Sequence, residues 1–236
     1  MPQKIPCKVL DVTDHGDHVY SVLLRPESTL PRFLAGQFLH LALDPFRPGD
    51  FWPESRVFSI ASAPAQRDAL RITYAVKGLY TARMERELQP DRDVWVKMPY
   101  GEFTVDIEKD VCLVAGGTGI TAFTAFLEQL PAEHARRVVL FYGARRPELL
   151  IYRSVAEEFA ARCKIGRIYL FAEQHAGGDP GLLQGRLDTG HVWACLSDPL
   201  SLTYYIAGPP VMIQGLMQGL RANGVDACRI LIDAWE

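Results

Sequence analysis

The early part of the chain alternates apolar and polar positions in short runs: CKVLDV (7–12), VYSVLLR (19–25), QFLHLAL (37–43), RVFSIAS (56–62), LRITYAV (70–76) and DVWVKM (93–98). Stretches rich in glycine, proline and aspartate, such as TDHGD, DPFRPGD and APAQRD, separate them. Alternation with a period of two marks strands that bury one face. Many short strands at this spacing predict an antiparallel barrel or sandwich. One helix, over YTARMERELQ and starting after Gly78, interrupts them.

From about Asp106 the rhythm changes. VCLVAG, RRVVLFYG, GRIYLFA and TYYIAG are continuous apolar runs, as expected of parallel strands covered on both faces. Helical segments alternate with them: ITAFTAFLEQL, RSVAEEFAARC and PPVMIQGLMQGLRANG, with a last strand predicted in CRILIDAW. The pattern predicts a right-handed, doubly wound α/β sheet. The expected architecture is therefore an all-β domain over 1–105 and an α/β domain over 106–236, joined near FTVDIEKD.

Composition narrows the function classes. With 236 residues, 48% hydrophobic and 22% charged, the chain has the make-up of a globular protein. A net charge of -3 supplies no electrostatic footprint for nucleic acid or an anionic membrane. No apolar run reaches the roughly 18 residues of a spanning helix, and MPQKIPCKVL lacks a signal-peptide core, so a cytoplasmic location is expected. The five cysteines are scattered, with no C-x-x-C spacing for zinc or an iron-sulfur centre. His15 and His18 flank Asp17 with nothing nearby to complete a metal shell, and a solvated turn is expected there.

Three glycine turns carry the candidate chemistry. In VCLVAGGTGITAF a buried strand runs into a glycine turn and then a helix, and Gly117, Gly119 and Ala122 match G-x-G-x-x-[GA]. Small residues there let the backbone approach a pyrophosphate, and the helix start offers free N–H groups. A tight turn without a ligand has the same spelling, and the acidic residue usual about twenty positions later is replaced by YGARR. In VKGLYTARM, Lys77, Gly78 and Thr81 are placed to hold a phosphate at a helix start, or simply to begin the helix. In YYIAGPPVMI, Ala207–Pro210 ends another parallel strand, at the sheet edge where α/β folds bind ligands.

Together RVFS, GLYT, PYGEF, GGTGI, YGARR and AGPPVM occur in an order that resembles the ferredoxin-NADP reductase family of flavoproteins over nearly the whole chain. The resemblance implies a flavin-binding antiparallel barrel followed by an NAD(P)-binding α/β domain. It implies that the strand Arg56, Val57, Phe58, Ser59 holds FAD: Arg56 on its phosphate, Phe58 against the isoalloxazine ring and Ser59 near the reactive nitrogen. Phe58 stands where the family usually has tyrosine, which keeps the stacking face and loses a hydroxyl. Lys77, Gly78 and Thr81 map onto the flavin pyrophosphate loop, and PYGEF around Gly101 onto the turn closing the flavin domain.

In the second domain the resemblance implies that Gly117, Thr118 and Gly119 hold the nucleotide pyrophosphate, while Gly208 and Pro209 line the nicotinamide position. Ala207 replaces the cysteine common beside the hydride-transfer position. Trp235 is the candidate for an aromatic cover on the flavin. Where NADPH users often carry serine and arginine, this chain has LFAEQ; Glu173 repels a 2'-phosphate, and although Arg145 and Arg146 lie nearby, NADH is favoured over NADPH. The implied function is transfer of a hydride from NAD(P)H to bound FAD, and of electrons to an external acceptor such as a redox protein or an oxygenase component. A reductase of free flavin and a flavin-binding subunit without turnover are the alternatives. No metal site is expected.

Overall fold

Residues 2–174, 177 and 179–233 are described in the computed structural model, and the chain divides between Thr104 and Val105 into two units. The alternating runs of the first unit form β1 (Gln3–Asp14), β2 (Val19–Pro26), β3 (Phe38–Ala42), β4 (Ser55–Ser59), β5 (Leu70–Ala75) and β6 (Asp93–Tyr100). All pairings are antiparallel, in the order β4-β3-β6-β1-β2-β5. The two edge strands β4 and β5 approach one another, so the sheet is a nearly closed barrel. Its core is the inward half of each alternation: Ile5, Cys7 and Val9, Val22 and Leu24, Leu39 and Leu41, Ile72 and Tyr74, Val94, Val96 and Met98. Because side chains alternate faces, Arg56 and Phe58 share the side of β4 that faces Leu41 and Leu39 in the register.

Helix α1 (Leu79–Glu87) docks on this core through Tyr80 and Met84. Burying Tyr80 requires partners for its hydroxyl. It donates to the Leu41 carbonyl at 2.9 Å, has the Glu54 carbonyl within reach at 3.2 Å, and accepts from the Leu43 amide at 3.1 Å. One phenol thus ties the start of α1 to the end of β3 and to the segment entering β4. At the far end of the unit Gly101 adopts φ +94°, and a Cβ there would stand 2.8 Å from the Phe38 ring.

In the second unit β7 (Val111–Gly116), β8 (Val138–Ala144), β9 (Gly166–Ala172), β10 (Leu182–Gln184), β11 (Thr203–Ala207) and β12 (Ile230–Ile232) are all parallel, ordered β10-β9-β8-β7-β11-β12. Every residue of β7, β8 and β11 is buried, which is why these strands read as unbroken apolar runs. The connecting helices are α2 (Thr121–Gln129), α3 (Arg153–Arg162), α4 (Thr189–Cys195) and α5 (Pro210–Ala222). The chain leaves β7 towards β8 on one side and returns to β11 on the other. The strand order therefore reverses between β7 and β11, where open α/β sheets form a ligand crevice.

Two elements have no counterpart among the expected ones. β10 is three residues long with only Leu182 buried, too short to show a period. α4 carries a glycine and two β-branched residues, and it forms because the Asp188 carboxylate caps it, accepting from the His191 amide at 2.9 Å. The last strand is also shorter than CRILIDAW suggested: Ala227–Arg229 is a single 3-10 turn, capped by Asp226, and the strand holds Ile230–Ile232.

Tyr80→Phe should cost about 1–3 kcal/mol, because the Leu43 amide and a strand-end carbonyl lose a buried partner. Equilibrium denaturation checks this, and an unchanged midpoint would remove Tyr80 as the tie between α1 and β3.

Candidate functional site

The first unit gathers its candidate residues around the start of α1. The Arg56 guanidinium lies 4.7 Å from the centroid of the Tyr80 ring, donates to the Ser55 carbonyl at 2.9 Å and pairs with Glu54 at 2.9 Å. Both members of that pair are about half exposed, at 48% and 61%, so water screens it and the cation stays open to a stronger anion. Arg83, on the same helix, is committed elsewhere: it forks onto Asp44 at 2.8 and 2.5 Å and reaches Glu87 at 2.7 Å. The Asp44 carboxyl is held below its usual range by that guanidinium.

Gly78 precedes the helix in extended backbone, which any residue adopts, and no atom lies within 4 Å of where its Cβ would stand. The glycine leaves open the space in front of the first helical amides, which have no intrahelical partner and attract an anion. Thr81 shapes this turn from inside. Its hydroxyl accepts from the amides of Lys77 (2.9 Å) and Gly78 (3.1 Å) and donates to the Gly78 carbonyl (3.1 Å). Phe58, half-buried, packs on the barrel core with its ring 6.1 Å from Tyr74; Val57 and Ser59 are half-buried on the opposite face of β4.

Glycines at the switch point of the second unit have distinct jobs. A Cβ on Gly119 would stand 2.5 Å from the carbonyl carbon and oxygen of Ala207 and 2.6 Å from the Gly208 amide. One on Gly208, at φ +149°, would meet Met212 at 2.7 Å and the Gly116 amide at 3.0 Å. Only glycine permits the turns after β7 and β11 to touch backbone to backbone. Gly117 differs: it is left-handed at φ +53°, and its missing Cβ faces open space. Gly117 and Thr118 sit in the 3-10 turn Gly117–Ile120, whose backbone Thr121 braces by donating to the Thr118 carbonyl at 2.8 Å. Ala207 is buried at the end of β11, and Pro209 is exposed ahead of α5. These residues fit a dinucleotide pyrophosphate: a tight turn, an open glycine and a helix start.

Glu173 follows β9, bound to the exit of β8 by its amide, which donates to the Ala144 carbonyl at 3.1 Å, while the Gln174 amide donates to the Arg145 carbonyl at 2.8 Å. Arg186, from the segment after β10, brings its Nε to 3.9 Å from the Glu173 carboxylate, both side chains about half exposed at 61% and 46%. Arg186 was not legible from sequence, because its place depends on β10, which carries no periodic signal. Trp235 lies outside the described residues. His15 and His18 serve the barrel, pairing with Ser21 at 2.8 Å and Glu85 at 2.7 Å. Among the described residues no group of histidine, cysteine and acidic side chains is arranged to hold a metal, and no helix is long and apolar enough to cross a membrane.

A β-barrel unit followed by a parallel sheet with a glycine-built switch point is the fold of the two-domain flavoprotein reductases. The family model for the oxidoreductase NAD-binding domain matches residues 113–218. The reductase component DmpP of phenol 2-monooxygenase from Pseudomonas sp. (strain CF600) is 31% identical over 201 residues, 79% of this chain and 54% of that protein. The NAD(P)H-flavin reductase of Vibrio harveyi is 29% identical over 170 residues, 66% of this chain and 68% of that one. The fold is that of a Neisseria gonorrhoeae ferredoxin NADP+ reductase solved with FAD and NADP, with a TM-score of 0.78 and 21% identity over 98% of both chains. The chain thus matches an oxidoreductase NAD-binding domain over 113–218 and shares the two-unit fold of the ferredoxin-NADP reductase-like structures. It spans about half the length of several of its curated relatives.

Gly119→Ala and Gly117→Ala should separate the two glycine roles. The first forces backbone apart and should cost about 3 kcal/mol or more, whereas the second pays only the left-handed penalty of about 1–2 kcal/mol. Denaturation followed by far-UV circular dichroism reads both, and equal losses would refute the distinction.

Proposed function

We propose that this chain is an NAD(P)H-dependent flavoprotein reductase that moves a hydride from NAD(P)H to bound FAD and passes electrons to an external redox protein or oxygenase component. The reading is carried by the coexistence, in one chain, of an open cation-flanked helix start beside β4 and a glycine-built nucleotide turn at the β7–β11 switch point. The barrel unit is then the FAD-binding domain and the α/β unit the NAD(P)-binding domain. FAD supplies, when bound, the ring that accepts two electrons and releases them singly or as a pair.

The chain's own residues do the holding. Arg56 takes the flavin phosphate, giving up its screened contact with Glu54 for a charge-assisted bond. The open amides of Leu79 and Tyr80 face the same group across Gly78, and Thr81 keeps the turn in shape. Phe58 offers a face to the flavin ring, and Ser59 a hydroxyl at its edge. In the α/β unit Gly117 and Thr118 take the nucleotide pyrophosphate, Gly119 holds the two turns together, and Gly208 and Pro209 line the nicotinamide position beside Ala207. Ala207 has no reactive side chain, so the protein's part there is orientation at short range.

For the donor, Glu173 disfavours a 2'-phosphate, and Arg186 and Arg145 set how strongly. Arg186 is turned towards Glu173, which weakens the repulsion without abolishing it. NADH is the favoured donor on this balance.

Anaerobic addition of NADH or NADPH to the purified protein tests the function. Bleaching of bound flavin is expected, faster with NADH; flavin that neither nucleotide bleaches would refute the reductase reading, and a protein that never retains flavin would favour reduction of free flavin. Glu173→Gln should raise the NADPH to NADH ratio of kcat/KM by roughly tenfold, as Arg186 becomes available to the phosphate. No movement of that ratio would remove Glu173 as the discriminating residue.

A further inference from the structure

The glycine turns occupy one edge of the parallel sheet, where β7 and β11 end, and Gly116 pairs there with Gly143 near the end of β8. At the opposite edge, where β8 and β9 begin, a cavity of about 460 Å³ opens. β8 is seven residues long, and a strand of that length rises about 20 Å, which separates the two places. The cavity begins where α4 stops, at Cys195, because a seven-residue helix is too short to cover this face of the sheet. Val139 on β8 and Arg167 and Tyr169 on β9 share the part left uncovered, with Val139 beside Arg167 in the register. Tyr169 is fixed in place: its ring stacks on Phe141 at 4.8 Å, and its hydroxyl donates to the Cys195 carbonyl at 3.3 Å. Leu196 and Ile165 extend the apolar lining.

Charge around this apolar floor is one-sided. Arg137, Lys164 and Arg167 line the cavity with a single carboxylate, Asp110. Asp110 is committed to the backbone: its carboxylate accepts from the Arg137 amide at 2.9 Å, and its carbonyl accepts from the Thr203 amide at 3.0 Å. The Arg137 Nε stands 3.6 Å from that carboxylate, beyond a hydrogen bond, and is buried without an acceptor; its Nη2 donates to the Ser201 hydroxyl at 2.8 Å. Arg167 turns back over the entry to β9 and donates to the neutral carbonyls of Lys164 at 3.2 Å and Gly166 at 2.9 Å. Among the described residues, no carboxylate lies within hydrogen-bond distance of any of these three side chains. Arg153, in the same unit, shows the contrast, with Glu157 at 2.6 Å. Cations that the fold gathers without answering them, around an apolar recess, attract an anion and leave room for its body.

We propose that this cavity is a second ligand site of the α/β unit, taking a phosphate monoester with a flat, apolar body. Three positive charges less one negative leave an excess of two, which a phosphate dianion matches. Both guanidinium groups keep donors beyond their present bonds, in the planar arrangement that phosphate oxygens accept, and exposed Lys164 adds a point charge. The body of the ligand lies against Tyr169, Val139 and Leu196. None of this rests on the flavin or NAD(P)H reading.

Phenyl phosphate is the probe, titrated calorimetrically into the full chain at constant ionic strength, with saturating NAD+ present to occupy the glycine turns. Binding is expected, tighter than that of inorganic phosphate, which lacks the body, and than that of benzoate, which carries a single charge. Lys164→Gln and Arg167→Gln should each weaken phenyl phosphate about tenfold or more, the loss of one charge-assisted bond. Tyr169→Leu should bring phenyl phosphate down to the affinity of inorganic phosphate. Lys164 and Arg167 are exposed, so their replacement leaves the fold intact, which far-UV circular dichroism verifies. Absence of binding by wild type, or an unaltered affinity in both charge variants, overturns the site. Benzoate bound as tightly as phenyl phosphate overturns the phosphate assignment, and inorganic phosphate bound as tightly overturns the apolar body.

Discussion

The α/β unit depends on one close approach: the backbone of Gly119 against the carbonyl of Ala207 and the amide of Gly208. Two parallel strands that leave the sheet side by side must turn in opposite directions, and their turns compete for the same space. Removing a Cβ from each side of the contact lets both turns exist within van der Waals distance. Met212, reaching back from α5, fills what remains, so that Gly116 and Gly208 are confined by the same side chain. The consequence for function is that the nucleotide turn is not a free loop. Gly117 is half-buried and left-handed, with open space where its Cβ would stand, beside that fixed contact, which gives a ligand a preorganised backbone to meet.

Tyr80 does for the barrel what Gly119 does for the sheet. Its hydroxyl is shared among β3, the segment after it and the segment before β4, while its ring carries the Arg56 guanidinium. A cation above an aromatic face is held in direction without being neutralised. Arg83 shows the contrast. It sits on the same helix, but Asp44 and Glu87 consume its donors, and it serves structure alone. Two arginines beside α1, one brought from β4 and one on the helix itself, thus have different destinies, and what decides between them is which carboxylates the fold brings near.

Much of the architecture was legible because period two and continuous burial are both one-dimensional signals. β3 and β6 alternate as a half-buried strand must, and β7, β8 and β11 are apolar throughout because helices cover both faces. The glycine turns were legible as turns, but their division of labour was not. Gly117 and Gly119 look alike in the string GGTGI, and only the return of β11 beside β7 reveals that one faces solvent and the other a backbone. α4 went unseen for a local reason, since its helix-forming power is weak and its Asp188 cap supplies what propensity lacks. Tyr80 was hidden by its neighbours: in GLYT the glycine and threonine draw attention, and the tyrosine reads as one more apolar core residue.

Donor choice is the least legible property, and the reason is geometrical. Glu173 can be found from sequence because it follows a strand whose end is plain. Arg186 becomes its neighbour only through β10, whose register against β9 sets Leu182 beside Leu170 and Gln184 beside Ala172. A charge read alone gives the sign of an interaction with a phosphate, while the net field there depends on every cation the fold places within a few ångströms. With Arg186 at 3.9 Å, the carboxylate of Glu173 is already half-answered by the protein. On the proposed reading of Glu173, repulsion of a 2'-phosphate at this edge is a difference between two nearby charges of opposite sign. Such differences shift with small side-chain movements at exposed positions, and this allows donor preference in such a fold to change while the glycine turns beneath it stay as they are.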